Sequence, residues 1–544
     1  MLQSPSTRSL APRHSSPEKT AESSENRPDN TDSRNITLDI IRHAKSRPES
    51  PALLMAHRDI SYRELDNLTW KFAHFLHEQG VRPGHIIGLT LTEEFTLVLC
   101  ILAVTRLGAT VFSIPRSTQP VQRIAIARKA RIYCLAGDQV IHAIPGTRFL
   151  EINQQALISS PMHIDLSIME KAPRSPWLLI SGSGTTGEPK LIPVTHAQAA
   201  ARATRANEKL QITAADRIAP LSHFDFSHAK FRLHEALAAG ASCALNIWDT
   251  PDPIGACIRF SLSAVFATVF HAEKMLQMLA PNAANALTGV RVFEVTSSTV
   301  TEDLRRRLKC SLTPNVHVRY GINEAGPVAI ASPDEINHIS GTIGRALRGT
   351  QVEIIDRNGQ VLPAETIGLI RISSPGVVEG YLHDDKATQR SFIKKWFLPG
   401  DLGKLTADGH LIFYGRADHM MIMNGINIYP AEIEQVLTAH PDVTDCAVVP
   451  ARHPVHQDLP IAAVTLSSTA NSSESALLAY ACEQLGSHAP WRVIICDQIP
   501  RNNEGKLIRS EMNGLLAERL GISRAEKKMT TDTYPALSRN TTQP

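Results

Sequence analysis

Between Ile36 and about Arg416 the chain alternates stretches of helical apolar spacing with short apolar runs of strand length. In SYRELDNLTWKFAHFLHEQG, Leu65, Leu68, Phe72, Phe75 and Leu76 fall on one face of a helix. Ser61 stands where an N-cap oxygen is needed, and Gly80 where the helix should stop. IRHAKSRPES reads as the end of an earlier helix, IIGLTL as a short strand, FTLVLCILAVTRLGA as an apolar helix and TVFSIP as the strand after it. WLLISGSG, SAVFATVF and VRVFEVTSS repeat the strand pattern. Repeated strand–helix–strand units predict a largely parallel sheet covered by helices.

Past Gly341 the texture changes. TQVEIID, GLIRIS and HLIFYG are short strands separated by turn residues, Arg357-Asn358-Gly359 and Asp408-Gly409 among them, which predicts antiparallel β-structure. A compact α+β unit follows. YPAEIEQVLTAH is a helix with Pro430 in its first turn, DCAVVP and IAAVTLSS are strands, ESALLAYACEQLG is a second helix and WRVIICD a further strand. The expected fold class is α/β: a large multi-layer α/β domain over residues 36–416 that includes a β-rich subdomain, then a small α+β C-terminal domain over residues 417–524. Residues 1–35, rich in Ser, Pro, Glu, Asn and Arg without an apolar core, are expected to be a disordered extension, and residues 525–544 a disordered tail.

Composition narrows the function. A chain of 544 residues is too long for one core, and 43% apolar residues suit a soluble globular protein. Lys and Arg total 56 against 53 Asp and Glu, so the formal charge of +3 gives no electrostatic case for nucleic acid. Aromatics at 5% argue against base-stacking platforms. Eight scattered cysteines form no CxxC pair and no metal spacing with histidine, as expected of reduced thiols in a cytoplasmic protein. No window reaches the roughly 18 apolar residues that a membrane span requires.

The segment richest in chemistry is Ser181-Gly182-Ser183-Gly184-Thr185-Thr186-Gly187-Glu188-Pro189-Lys190, directly after the apolar run Trp177 to Ile180. Its glycines allow a tight turn and close approach to a ligand, its hydroxyls and successive amides can cradle an anion, and Lys190 adds a point charge. It is not a Walker A loop, because Glu188-Pro189 separates Gly187 from Lys190 and no Gly-Lys-Ser/Thr runs into a helix. SGSGTTGEPKLIPVTH resembles the signature loop of the adenylate-forming (AMP-binding) superfamily, which comprises acyl-CoA synthetases, peptide-synthetase adenylation domains and luciferases. The resemblance recurs in order from about Ile36 to about Leu520, closest in motif to the acyl-CoA synthetases.

That resemblance implies roles residue by residue. Ser181, Gly182, Ser183, Gly184, Thr185, Thr186, Gly187 and Lys190 would hold ATP phosphates. In Tyr320-Gly321-Ile322-Asn323-Glu324, Glu324 would hold Mg²⁺, Tyr320 would lie near the adenine, and Asn323 stands where the family has Thr. Ser297 and Ser298 occupy the place of a Gly-rich turn against the adenine; read alone, a Ser-Ser pair before a helix is an N-cap. Asp401, in PGDLG, would grip both ribose hydroxyls, and Arg416 would be the matching cation for ribose or phosphate. Asp418 is the expected hinge of a mobile small domain, and Gly425, in NGINIYPAEIE, would face the acceptor's tunnel. Lys506, in PRNNEGK, would bring the anionic acid and triphosphate together and carry adenylation. His223, in PLSHFDFSH, matches a histidine or aromatic gating the carboxylate pocket, with His228 as its rival. Peptide-synthetase members selecting α-amino acids have an Asp near this segment; Asp225 is close, and the reading leans to an acid without the amine. Leu191 replaces a family Gly.

The reaction implied is ligation of a carboxylic acid to a thiol, with ATP and Mg²⁺ as cofactors, an acyl-adenylate as intermediate and coenzyme A as acceptor. Two alternatives stand beside it: a stand-alone adenylation enzyme that loads the phosphopantetheine of a carrier protein, and a non-catalytic nucleotide-binding relative.

Overall fold

The computed structural model describes residues 35–116, 118–153, 175–182, 189–280, 282–424, 426–453, 456–467, 470–501 and 507–519. The expected disordered extension up to residue 34, the tail 525–544, Ser183, Gly184, Thr185, Thr186, Gly187, Gly425 and Lys506 lie outside these. Asn35, counted above with the extension, belongs to the fold: it is buried and its amide donates to Thr105 O at 2.8 Å.

The α/β class holds, but the parallel strands form two sheets rather than one. An eight-stranded sheet runs in the order Gly326–Ala331, Val316–Ile322, Val292–Thr296, Ala264–Thr268, Arg217–Pro220, Ser242–Ala244, Pro51–Leu54 and Ile60–Ser61, antiparallel only at its two edges. A six-stranded sheet runs Phe149–Glu151, Cys134–Gly137, Ile86–Thr90, Thr110–Ser113, Pro176–Gly182 and Lys190–Thr195, antiparallel only in its last pair. The helix Glu94–Arg106 explains the division. All 13 of its residues are buried, and its apolar side chains share one core with strands of both sheets. A helix apolar all round needs cover on every side, and two sheets supply it. The helix Tyr62–Glu78 begins as the sequence predicts, with Ser61 Oγ accepting from Glu64 N at 3.2 Å, and Gly80 follows with φ of 84°.

Seven short antiparallel strands between Thr342 and Arg416 form a third sheet. Asp401–Leu405 and His410–Arg416 are neighbours in it, which sets Asp401 opposite Arg416. A fourth sheet of five strands, from Met421 to Ile495, packs on the helices Pro430–Thr438 and Glu474–Leu485.

Candidate active site

The site lies where the ends of three sheets meet. From the six-stranded sheet comes a hairpin, Pro176–Gly182 paired with Lys190–Thr195, in which Gly182 faces Lys190. Ser181, Gly182 and Lys190 therefore flank residues 183–188, which lie outside the described residues. Leu191 is fully buried with Phe112, Ile114 and Leu179, so the side chain standing for a glycine anchors the base of the hairpin.

From the eight-stranded sheet comes Val316–Ile322, which carries Tyr320 and leads into Asn323 and Glu324. The Tyr320 hydroxyl donates to Asp401 Oδ2 at 2.6 Å, and Arg416 Nη1 lies 3.3 Å from Asp401 Oδ1, so both oxygens of this carboxylate are engaged. Asp401 is 5% exposed, and burial holds its pKa above the ordinary value despite these partners. The adjoining Gly400 has φ of 79°, and a Cβ there would sit 3.2 Å from Arg416 Nη2, so this turn favours glycine on both counts. Arg416 also donates to Pro399 O at 2.5 Å and to Asp418 at 3.2 and 3.3 Å. Tyr320 and Phe413 rings lie 5.7 Å apart.

Glu324 is held by a residue that sequence reasoning missed. The Tyr381 hydroxyl donates to Glu324 Oε1 at 2.9 Å, and Lys190 Nζ sits over the Tyr381 ring, 4.6 Å from its centroid. No local pattern marks Tyr381; only its ring packing and the 57-residue separation bridged by the fold reveal it.

Asn323 Oδ1 accepts from Ser227 Oγ at 3.0 Å, so the amide standing for a threonine binds the start of the helix Ser227–Ala239. Just before that helix, His223 Nδ1 is 3.4 Å from Asp225 and its Nε2 is 4.0 Å from Glu94. Burial would lower the His223 pKa, but the two carboxylates raise it. Glu94, a second residue missed in sequence, is pushed up by burial and accepts from Asn246 N at 2.6 Å. His228 is engaged elsewhere, 2.8 Å from Ser222 Oγ, and burial drives its pKa down. Asp225 Oδ1 is buried and has no hydrogen-bond partner among the described residues.

Ser297 has φ of 81°, a left-handed conformation that explains why a glycine-rich turn suits this place. The N-cap of the following helix, Glu302–Arg307, is Thr301 and not the serine pair, because Ser297 and Ser298 lie too far upstream and Thr301 Oγ1 accepts from Leu304 N at 3.2 Å. Beneath this turn Arg232, Glu235, Glu294 and Arg319 form a buried ionic quartet, with contacts of 2.5, 2.8, 3.5 and 3.6 Å. The quartet ties the strands Val292–Thr296 and Val316–Ile322, which lead to Ser297 and Tyr320, to one helix.

Among the described residues no three His, Cys, Asp or Glu side chains gather as metal ligands, and no helix is long and apolar enough to cross a membrane. A lone carboxylate fits Mg²⁺ held mainly by phosphate and water oxygens, and among the described residues no side chain other than Tyr381 hydrogen-bonds the Glu324 carboxylate.

Comparison with known proteins agrees with this architecture. The AMP-binding enzyme family model matches residues 40–382, and the AMP-binding enzyme C-terminal domain model matches residues 432–506. The chain belongs to the AMP-binding enzyme family, the adenylate-forming superfamily. It is 26% identical over 501 residues to indoleacetate–CoA ligase of Aromatoleum aromaticum, covering 88% of this chain and 98% of that one. It is 27% identical over 488 residues to the probable non-canonical nonribosomal peptide synthetase CymA of Salinispora arenicola, covering 86% of this chain but only 6% of that protein. ATP-bound MatB from Rhodopseudomonas palustris shares the fold, with a TM-score of 0.81 at 21% identity over 90% of this chain and 100% of that one.

Proposed function

We propose that the chain is an AMP-forming ligase that activates a carboxylic acid as its acyl-adenylate and passes the acyl group to coenzyme A. The convergence of Lys190, Glu324, Tyr320, Asp401 and Arg416 from three sheets carries this reading. Asp401 holds the ribose, Tyr320 and the Ser297–Ser298 turn flank the adenine, and Ser181 to Gly187 with Lys190 hold the phosphates. The acid lies near His223. Its carboxylate attacks the α-phosphorus, the bond to the β-phosphate oxygen breaks, and pyrophosphate leaves. Mg²⁺ bound at Glu324 would neutralise charge on the phosphates; Lys506 stabilises the charge shared between acyl oxygen and α-phosphate. The thiol then attacks the acyl carbon and AMP leaves. Asp418 is the hinge that exchanges Lys506 for the acceptor face carrying Gly425.

Coenzyme A is favoured over a carrier protein by the surface around Asn424. Met421–Met423 and Ile426–Ile428 form a hairpin whose turn includes Asn424, and Asn424 Oδ1 lies 2.7 Å from His456 Nδ1. The His453 and His456 rings lie 4.6 Å apart, and Trp491, 5.7 Å from His456, is 48% exposed. An exposed aromatic face suits a purine, which coenzyme A carries and a carrier protein does not. The likeness to a peptide synthetase keeps the carrier protein as the second reading.

ATP–pyrophosphate exchange with a panel of aryl, alkyl, dicarboxylic and amino acids tests the first step. Exchange with one class supports the ligase; nucleotide binding without exchange for any class supports the non-catalytic alternative. Thioester formation with free coenzyme A against a holo-carrier protein, repeated with Trp491→Ala, tests the acceptor. The variant should raise KM for coenzyme A and leave carrier loading unchanged.

A further inference from the structure

We infer that Tyr381 is a positioning residue that couples the Lys190 ammonium to the Glu324 carboxylate, orienting Glu324 toward a divalent cation and Lys190 toward the nucleotide phosphates. This rests on the nucleotide site proposed above. Three observations support it. The Tyr381 hydroxyl donates to Glu324 Oε1 at 2.9 Å. The ring face meanwhile attracts Lys190 Nζ, 4.6 Å from the centroid, so one side chain fixes a cation and an anion without letting them pair directly. A direct Lys190–Glu324 ion pair would mask both charges from a ligand.

The backbone around Tyr381 makes the same connection. Val378 N donates to Glu324 O at 2.8 Å, and Leu382 N donates to Leu191 O at 2.8 Å. The segment from Val378 to Leu382 is thus pinned at one end to the residue of the carboxylate and at the other to the base of the phosphate hairpin. Tyr381 itself is 6% exposed, its amide donates to Thr388 Oγ1 at 2.9 Å, and Phe392 packs edge-on at 5.4 Å. Its rotamer is therefore fixed. Behind it Arg202, fully buried, donates to Gly376 O at 2.7 and 2.9 Å and to Glu324 O at 3.1 Å.

The test uses the full chain as Tyr381→Phe, which keeps the ring and removes the hydroxyl, and as Tyr381→Leu, which removes both. Calorimetry with a non-hydrolysable ATP analogue is run without metal and across a Mg²⁺ titration, and Mn²⁺ bound to the protein–analogue complex is counted by electron paramagnetic resonance. For Tyr381→Phe the Mg²⁺ or Mn²⁺ concentration at half-saturation should rise about tenfold, as for loss of an outer hydrogen bond to a metal ligand, with metal-free affinity unchanged within about twofold. Tyr381→Leu should in addition weaken metal-free binding by roughly threefold, through loss of the cation–π contact. Unchanged metal dependence in a folded Tyr381→Phe, beside normal metal-dependent binding by the wild type, overturns the coupling alone. A wild type that binds no analogue with or without metal overturns the nucleotide reading and this inference with it.

Discussion

Asp401 and Glu324 bring the same carboxylate to the same junction, yet they are held in opposite ways. Asp401 is buried, both its oxygens are engaged, and a guanidinium and a phenol fix its direction. Glu324 has one carboxylate oxygen in a hydrogen bond to Tyr381, Lys190 is held on the face of that tyrosine ring, and Arg202 donates to the Glu324 main-chain oxygen rather than to its carboxylate. The first is a carboxylate already oriented, suited to a neutral partner such as a pair of hydroxyls. The second is a carboxylate left short of compensation, suited to a partner that brings its own positive charge. Within one site, the degree to which a charge is satisfied in advance distinguishes the end that positions from the end that does electrostatic work.

The largest expected effect would complete that electrostatic end. Lys506→Ala should reduce acyl-adenylate formation on the order of a thousandfold, while thioester formation from supplied acyl-adenylate stays near wild type. Measuring the two half-reactions separately checks this, and equal loss in both contradicts the hinge. Next comes the scaffold shared by both ends. Arg319→Met leaves Glu294 and Glu235 buried with half their compensation, which should cost about 3–5 kcal/mol of stability, read by urea unfolding. Loss below about 1 kcal/mol would mean that the quartet does not hold the two strands together.

How much of this was legible in the sequence follows from the range of each interaction. The helix Tyr62–Glu78 and the apolar strand leading into Ser181 were readable because caps, periodicity and apolar runs act locally. The division into two sheets was not, because an all-apolar helix pattern does not say what covers each side. Ordered motifs named Lys190, Tyr320, Glu324, Asp401 and Arg416, and these five come together. Tyr381 and Glu94 carry no motif: each matters only through a partner more than fifty residues away. The serine pair misled for a related reason, since the cap it imitated belongs to Thr301 and its own peculiarity is a backbone angle.

Smaller effects sharpen the comparison at its margins. His223 is raised by Asp225 and Glu94, so its contribution to stability is full below about pH 6.5, its unfolded value, and is lost as pH rises through the higher folded value. The stability difference between wild type and His223→Gln should therefore shrink from pH 6 to pH 9 in denaturant titrations; a difference that grows would mean His223 is held neutral. Ser297→Gly should be the mildest change. It relieves a left-handed serine but adds freedom to the unfolded chain, for a net gain of up to about 1 kcal/mol, read as a small rise in Tm.

The central claim is the direction in which the nucleotide lies, ribose at Asp401 and phosphates at Glu324 and Lys190. Calorimetry of Asp401→Ala and Glu324→Gln with an ATP analogue, with and without Mg²⁺, tests it most directly. Asp401→Ala should weaken metal-free binding by about 1.5–3 kcal/mol, the value of hydrogen bonds to a charged group, and leave the Mg²⁺ increment intact. Glu324→Gln should bind the metal-free analogue nearly as well as wild type and lose most of the Mg²⁺ increment. Normal metal-free binding by Asp401→Ala, together with its loss in Glu324→Gln, would mean that the nucleotide lies the other way round.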